Sequence, residues 1–485
     1  MTTETHTQTQ THTMADPWSA SDPADRLFAL VVVWCPRAPE RVGEVVLVPA
    51  VGQWVLGRGD PSADDPFPRL LPCRQRPDGL APAGPLRMPS VSRVQWLLSA
   101  SGEGLSVSVV GRCATRVNGA RATGDVEVRE GDVLELARKV VFRVSTRPSR
   151  LAAVDGPLHP FGGPDDDGLV GESPGAWSLR QEVAFAAPRR AHVLVHGPSG
   201  SGKELVARAL HARSLHPGGP FVARNAATIP EGLVDAELFG HARGYPHAGM
   251  PEREGLIGAA DGGTLFLDEF AELPEALQAH LLRVLDAGEY QRLGETRTRR
   301  SSFRLIAATN RPLATIKHDV LARLPLVVEV PELAERIDDV PLLARHLLRR
   351  IAAEDPALAT QFFVGGRATG EPRLTARLVR ALLQHDWATN VRELEAWLWR
   401  AMRGQGTALD LATVPTSTVS SSPSSAWLAW RGTDPAELPA EVVQACLDEH
   451  NGVQETAWRA LGLSSRYVLV RLIKKHGLVV RKTPT

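Results

Sequence analysis

The stretch "VLVHGPSGSGKE" sets Gly197, Gly200, Gly202 and Lys203 in a G-x-x-x-x-G-K spacing, directly after an apolar run and directly before an amphipathic one. Glycines let backbone N–H groups close around phosphate oxygens, the start of a helix adds positive potential, and a lysine in this position reaches terminal phosphates. The implied chemistry is the binding of a nucleoside triphosphate. The eighth position holds Glu204 where a magnesium-binding Ser or Thr is usual, so a metal must lean on another ligand. Sixty-five residues beyond Lys203, "GGTLFLDE" ends an apolar strand in Asp268 and Glu269. An Asp that holds magnesium and a Glu that polarises an attacking water fit these two positions.

The elements that must carry these residues are legible around them. Between 168 and 330, "HVLVHG", "PFVARN", "GTLFLDE", "RLIAATN" and "LVVEVP" are short apolar runs bounded by turn residues, as buried parallel strands are. Helical stretches such as "KELVARALHARS" and "PEALQAHLLRVLDAG" lie between them, and 331–411 reads as purely helical. The expectation is an α/β domain with a helical lid. At 485 residues the chain has room for about three domains.

The flanks differ in texture. Residues 1–26 include "TTETHTQTQTHT", a polar segment with nothing to bury, expected to be disordered. Residues 27–147 carry short β-type runs ("LFALVVVW", "EVVLVP", "VQWLLSA", "KVVFRVS") separated by Gly and Pro, the pattern of an all-β sandwich, with a proline-rich insert at 61–89. A Gly/Asp/Pro-rich linker covers 148–167, a Ser/Thr/Pro-rich one 412–438, and 439–485 is helical again. The fold class is therefore multidomain: β-sandwich, α/β domain with lid, and a small all-α domain. Lys plus Arg (55) equals Asp plus Glu (55), so nucleic-acid contact must come from a local patch. That patch exists, since seven Lys or Arg and no Asp or Glu occur from residue 456 onward. The four cysteines, Cys35, Cys73, Cys113 and Cys446, form no CxxC pair, which argues against zinc or a disulfide framework and for a reducing cytosol. The run "LFALVVVWC" is too short to span a bilayer and lacks a basic leader, so a soluble cytoplasmic protein without membrane contact is expected.

The stretches "LVGESPGAWSLRQEV", "GPSGSGKELVARALH", "PFVARNAATIPEGLVDAELFGHARG", "GLIGAADGGTLFLDEFAELPEALQAHLLRVLDAGEYQRLGE", "IAATN" and "WATNVREL" together resemble the bacterial enhancer-binding AAA+ activators of sigma-54 RNA polymerase, in that family's order over most of 168–400. In that family the residue after the loop lysine is itself a Glu. The resemblance implies ATP and Mg2+ as cofactors, with Asp268 as metal ligand. It implies that Asn225 restrains the catalytic Glu269, that Thr309 and Asn310 sense the γ-phosphate, and that Arg392 contacts nucleotide from the lid. Arg323 stands where the family has an arginine finger acting on the neighbouring subunit, so a homo-oligomer, dimer to hexameric ring, is expected. Two departures are visible. The segment "RPLATIKHDVLAR" is about six residues shorter than usual, and Lys317 replaces the first finger arginine. Lysine lacks the planar fork that grips phosphate oxygens, so slow hydrolysis is expected.

The stretch "ELFGHARGYPHAGM" contains three glycines and a proline within fourteen residues and reads as an exposed loop. In the resembled family this loop carries Gly-Ala-Phe-Thr-Gly-Ala, whose Phe and Thr touch sigma-54. In that register stand Gly244, Tyr245, Pro246, His247, Ala248 and Gly249: an aromatic one place early, no threonine, and a stiffening proline.

At the C-terminus, "ALGLSS" reads as the turn of a helix-turn-helix similar to the Fis-type DNA-binding domain. Ser465, Arg466, Tyr467, Arg471, Lys474 and Lys475 would lie on or beside its recognition helix, over a near-palindromic DNA site. The N-terminal sandwich resembles a forkhead-associated (FHA) domain through "LGRG", "VSRVQ", "TRVNGAR" and "VREGDVLEL". That resemblance places Arg58, Ser92, Arg93 and Asn118 on loops at one end, Arg58 and Ser92 taking the phosphate of a phosphothreonine and Asn118 the peptide backbone. Gln95 replaces the family's structural histidine, which puts the order of that loop in question. Three readings stay open. One is a sigma-54-dependent activator. Another is a phosphopeptide-gated DNA-binding regulator that does not engage sigma-54, and a third is a remodelling ATPase with another target.

Overall fold

In the computed structural model the described residues are 26–410, apart from 103, 137, 155–157 and 405, together with 439–449, 458, 461, 463 and 466–476. The chain divides into two compact units, Met1–Val414 and Pro415–Thr485.

The first unit begins with a sandwich of two antiparallel sheets. The larger has the strand order Gly79–Pro82, Cys73–Arg76, Val45–Val48, Arg26–Trp34, Val140–Pro148, Val133–Leu136, Thr115–Val117, Ala120–Ala122. The smaller runs Gly124–Val128, Gly104–Val109, Trp96–Ser101, Trp54–Leu56. Leu30, Val32, Val46, Leu98, Val107 and Phe142 fill the space between them, with Trp96 set edge-on to Phe142 at 5.7 Å. The insert at 61–89 does more than interrupt the sandwich. Its hairpin supplies the two strands at one edge of the larger sheet, and carbonyls of Gly84 and Pro85 each accept a 2.8 Å hydrogen bond from the Arg41 guanidinium.

The outer face of the larger sheet is also buried. Ala29, Val31, Val33, Val45, Leu47, Val133 and Val141 join Leu342, Leu348, Val379, Leu382 and Leu398 of the helices after the α/β sheet, and Trp387 between two of them, in one continuous core. Because successive strand residues point to opposite faces, a strand covered on both sides needs an unbroken apolar run, and "LFALVVVW" is one. Segment 148–167, expected as a linker, packs over its described part: His159 stacks on Trp177 at 5.3 Å, and the Phe161 ring lies under the Arg74 guanidinium. Its turn residues route the chain between two packed bodies rather than freeing it.

Five parallel strands follow, in the order Phe221–Asn225, Thr264–Asp268, Arg304–Thr309, Val193–His196, Leu326–Glu329, with helices on both faces. The helices Val340–Glu354, Pro356–Phe362, Ala376–Leu383 and Asn390–Ala401 form the region after the sheet. Two adjacent carboxylates open it. Asp338 is fully buried and accepts from Arg143 Nη1 at 2.8 Å and Arg147 Nη2 at 3.0 Å, both from the sandwich. Burial opposes its ionisation, yet the two arginines hold its carboxyl below the usual carboxylate range. Asp339 faces the other way and accepts from the backbone of Glu172 at 2.7 Å and Ser173 at 2.9 Å. Among the described residues, no helix is long and apolar enough to cross a membrane.

In the second unit, Ala440–Glu449 and Arg466–His476 pack through Val443, Cys446, Leu447, Leu463, Leu469 and Leu472. Arg471, Lys474 and Lys475 are exposed, and Arg466 and Tyr467 open the second helix. The expected turn glycine and Ser465 lie outside the described residues.

Removing one partner of a buried ion pair strands the other charge, whereas replacing the set with apolar groups is near neutral. Asp338→Ala should therefore cost about 3–5 kcal/mol, read from urea unfolding followed by tryptophan fluorescence. The triple change Arg143→Met, Arg147→Met, Asp338→Leu should recover most of that loss.

Candidate functional site

The carboxyl ends of the five parallel strands bring the polar residues of the candidate site into one row. Strand pairing sets Asn225 beside Asp268, and His196 between Thr309 and Glu329. In open α/β sheets this edge is where ligands bind, because the loops that leave it open a crevice. The glycine loop leaves from His196. Gly197 accepts no side chain there, since a Cβ would stand 2.6 Å from Val330 O, and a Cβ on Gly200 would stand 2.3 Å from Thr389 O. The Gly197 amide donates to Thr309 O at 3.2 Å, which ties the loop to the neighbouring strand.

Lys203 folds back over this loop, donating from Nζ to the carbonyls of Gly197 (3.0 Å) and Pro198 (3.1 Å). Ser201 Oγ is buried within the loop without a hydrogen-bond partner. A buried hydroxyl left unpaired costs free energy unless a ligand satisfies it. Together with the absence of room for Cβ atoms, it fits a phosphate group cradled by the backbone. The region after the sheet closes over the loop from the other side. Arg392 Nη1 reaches Ser199 Oγ at 3.3 Å, Asn390 Nδ2 donates to Ser199 O at 3.1 Å, and the Val391 amide donates to Gly200 O at 3.0 Å.

Burial pushes the Lys203 ammonium down from its ordinary range and Arg392 adds to this, while the carboxylates of Glu269 and Asp268 pull it back. Burial also raises the Glu269 carboxyl, with Asp268 adding to the rise and Lys203 opposing it. Glu269 is held at φ 50°, in the left-handed region that a glutamate adopts at a cost. Its amide donates to Asp268 Oδ1 at 3.0 Å. The backbone thus presents two carboxylates from one turn, next to the Asn225 strand end, where the Asn225 side chain accepts from the Ala227 amide at 2.9 Å.

Two sequence-predicted residues stand elsewhere. Glu204, early in the Lys203–Ala212 helix, points to solvent and pairs with Arg208 at 2.7 Å, because its position on the helix faces away from the loop. Arg323 is half-buried and lies in a bidentate pair with Asp286 at 2.9 and 3.1 Å, away from its own glycine loop. Several contributors escape sequence reading. His196 Nδ1 lies 2.9 Å from Glu329 Oε2 at the rim of a cleft of about 540 Å³ that Asn310, Gly197, Pro198 and Pro331 also line. Arg336, buried, donates to Ser201 O at 3.2 Å. Only strand order and packing bring these together.

The loop that contains Tyr245, Pro246 and His247 is exposed from Arg243 to Glu254, as its composition predicts. His241 and Arg253 exchange two 3.0 Å backbone hydrogen bonds at its base, and the Gly244 amide donates to Met250 O at 2.9 Å. The neighbouring hairpin, Glu289–Tyr290 with Arg299–Arg300, buttresses it. Gly294 of that hairpin has φ 76°, and a Cβ there would stand 2.6 Å from Tyr245 Cδ2. Tyr245 is therefore seated against the hairpin with one side and, like Pro246 and His247, is exposed.

At one end of the sandwich, Arg58 and Arg93 are exposed and neither forms an ion pair among the described residues. Their backbones run together: the Arg58 amide donates to Ser92 O at 2.9 Å, and a Cβ on Gly57 would strike Arg93 O. Gln95 orders this loop. Fully buried, it accepts from the Ser92 amide at 3.2 Å and donates to Cys113 O at 2.9 Å. Asn118, at φ 50°, donates from Nδ2 to Asp132 Oδ1 at 2.7 Å and accepts from the Val133 amide at 2.8 Å.

Comparison with known proteins adds the following. Residues 169–328 match the family described as the Sigma-54 interaction domain, and 334–427 the AAA+ ATPase lid domain. The chain is 37% identical over 313 residues to the transcriptional regulatory protein ZraR of Salmonella typhimurium, across 63% of this chain and 68% of that protein. It is 37% identical over 316 residues to the Nif-specific regulatory protein of Azotobacter vinelandii, across 63% of this chain and 58% of that one. Among solved structures it matches NtrX from Brucella abortus in complex with ADP at 30% identity, covering 65% of this chain and 70% of that one, with a TM-score of 0.46.

A carboxyl whose folded pKa lies above its unfolded value binds a proton first in the folded state, so its contribution to stability falls as pH rises through that window. For Glu269 the window opens just above the ordinary Glu value. Glu269→Gln should accordingly be more stable than the parent near neutral pH, and the difference should vanish as pH falls through the carboxylate range. Urea unfolding of both proteins across that range measures it; a difference independent of pH would show that the carboxylate is not under this stress.

Proposed function

Because the chain belongs to the family of sigma-54-dependent AAA+ transcriptional regulators, we propose that it binds and hydrolyses ATP to act on transcription. The observation that carries this reading is the glycine loop with its orphaned Ser201 hydroxyl, facing Lys203, Asp268 and Glu269 at the carboxyl edge of the sheet. In this reading Gly197, Gly200, Gly202 and Lys203 hold the phosphates and Asp268 holds Mg2+, which neutralises phosphate charge. Glu269 orients the attacking water and takes its proton, a task suited to a carboxylate raised towards neutrality. Asn225 restrains Glu269, Thr309 and Asn310 sense the terminal phosphate, and Arg392 closes over it from the lid. Arg323, paired with Asp286, serves the neighbouring subunit's site in a ring, and Lys317, in place of the first finger arginine, slows turnover.

The partner loop supports a qualified version of sigma-54 engagement. Tyr245 is the aromatic group available to make that contact, and the stiff, threonine-free tip weakens it. A second reading is favoured by that same tip: a regulator that binds DNA and a phosphopeptide without engaging sigma-54. In either reading the basic helix Arg466–His476 contacts DNA through Arg471, Lys474 and Lys475, and the sandwich is an FHA-type module that receives a phosphothreonine at Arg58, Ser92, Arg93 and Asn118. Support for the module comes from Gln95, which orders the Ser92 loop in the role that a histidine has in the resembled family.

Lys203→Ala should lower ATP affinity by about tenfold to a hundredfold, the worth of one or two hydrogen bonds to a charged group; unchanged binding of a fluorescent ATP analogue would reject the site. ATP turnover with and without purified sigma-54 discriminates the two readings. If Tyr245 engages sigma-54, Tyr245→Ala should abolish transcription from a sigma-54 promoter and leave ATP hydrolysis and DNA binding intact. Should the parent never open such a promoter while Pro246→Phe with His247→Thr does, the second reading stands.

A further inference from the structure

The hairpin that presents Asn118 does not end in solvent. Its next residue, Gly119, at φ 88°, lies so close to the helix Ala376–Leu383 that a Cβ on it would stand 3.0 Å from Arg380 Nη1. Between this edge of the sandwich and that helix is an open cleft of about 690 Å³. Four arginines line it: Arg116 and Arg138 from the sandwich, Arg377 and Arg380 from the helix. Arg377 and Arg380 are three residues apart on a helix and so share one face.

The charge of this cleft is not balanced from within. Glu135 stands between Arg116 at 3.5 Å and Arg380 at 3.7 Å, too far for short hydrogen bonds to either. Asp410, the other acid on the lining, accepts from Thr375 Oγ1 at 3.1 Å. Arg138 and Arg377 are exposed and make no ion pair among the described residues. Arg138 is held at φ 58°, a conformation that a non-glycine residue takes at a cost and that a ligand-facing turn can justify.

We propose that this cleft is an anionic subsite for the flank of the phosphothreonine peptide, so that the ligand of the sandwich is read jointly by the lid. The inference rests on the FHA-type reading and extends it. An extended peptide advances about 3.3 Å per residue, so one held at Asn118 carries carboxylates or a second phosphate past Arg380 within a few residues. Guanidinium groups from both bodies then grip one chain. The bound ligand spans the junction between sensor and lid, and its charge pattern selects which phosphopeptide couples to nucleotide turnover.

The test uses the full-length protein and two phosphothreonine dodecapeptide libraries, one with Asp and Glu fixed on a flank and one with Ser and Gln there, each flank taken in turn. One acidic-flank library should bind about tenfold more tightly than its neutral twin, the worth of two partly exposed ion pairs, and the gain should shrink at high salt. Arg377→Ala with Arg380→Ala should erase the gain and leave binding of the neutral-flank library unchanged, which also shows that the variant is folded. Phosphate-dependent binding with no acidic preference, or a preference that survives both substitutions, overturns the subsite and leaves the FHA-type reading intact. If no library binds in a phosphate-dependent, Arg58-dependent way, the FHA-type reading fails and the subsite with it.

Discussion

Two neighbouring carboxylates, Asp338 and Asp339, join the pieces of the first unit. Asp338 takes Arg143 and Arg147 of the sandwich, while Asp339 takes the Glu172 and Ser173 amides and faces Arg336. Arg336 in turn holds Ser201 O of the glycine loop. A Cβ on Gly171 would stand 2.5 Å from Asp339 Oδ2, so only a glycine lets the chain pass this point. Buried charges are tolerated only when paired and hydrogen-bonded. The sandwich, the first helix of the α/β domain and the phosphate loop must therefore keep their mutual placement, or leave a charge uncompensated.

The same junction makes the sandwich part of one body with the α/β domain and its lid. Alternate residues of the Arg26–Trp34 strand feed two cores, the sandwich interior and the one shared with the lid. Glu172 ties the connection further: burial opposes its ionisation, but His159, 3.5 Å away, and hydrogen bonds from Arg76 and the Gly162 amide hold its pKa down to about 2. The sandwich and the lid thus share a continuous, close-packed interior.

At the sheet edge the local rules are broken in the places expected of a functional site. Glu269 and Asn390 both take left-handed backbone, Ser201 Oγ is buried and unpaired, and two carboxylates sit side by side. Each costs stability unless the surrounding structure or a ligand offsets it. The exposed loop at 243–254 shows the opposite arrangement: it is held at its base, and Tyr245, itself exposed, rests against the Gly294 hairpin beside exposed Pro246 and His247.

Composition and period alone determined the strand and helix runs of the α/β domain, the glycine loop, the acidic strand end, the exposed loop and the basic C-terminal helix. All of these are local, because a turn, an apolar run or a charge cluster is encoded in consecutive residues. Tertiary structure decided the rest. Glu204 faces solvent because its place on the helix turns it away from the loop, which a one-dimensional motif does not encode. The absence of polar residues in "LFALVVVW" hinted that both faces of its strand are covered, yet what covers the outer face is separated from it by some three hundred residues of chain. Nothing local marks Arg143, Arg147 and Asp338 as a buried set, and Arg116, Arg138, Arg377 and Arg380 form one cleft only where the sandwich meets the lid. Desolvation and long-range pairing depend on which surfaces meet in space, and sequence neighbours do not specify that.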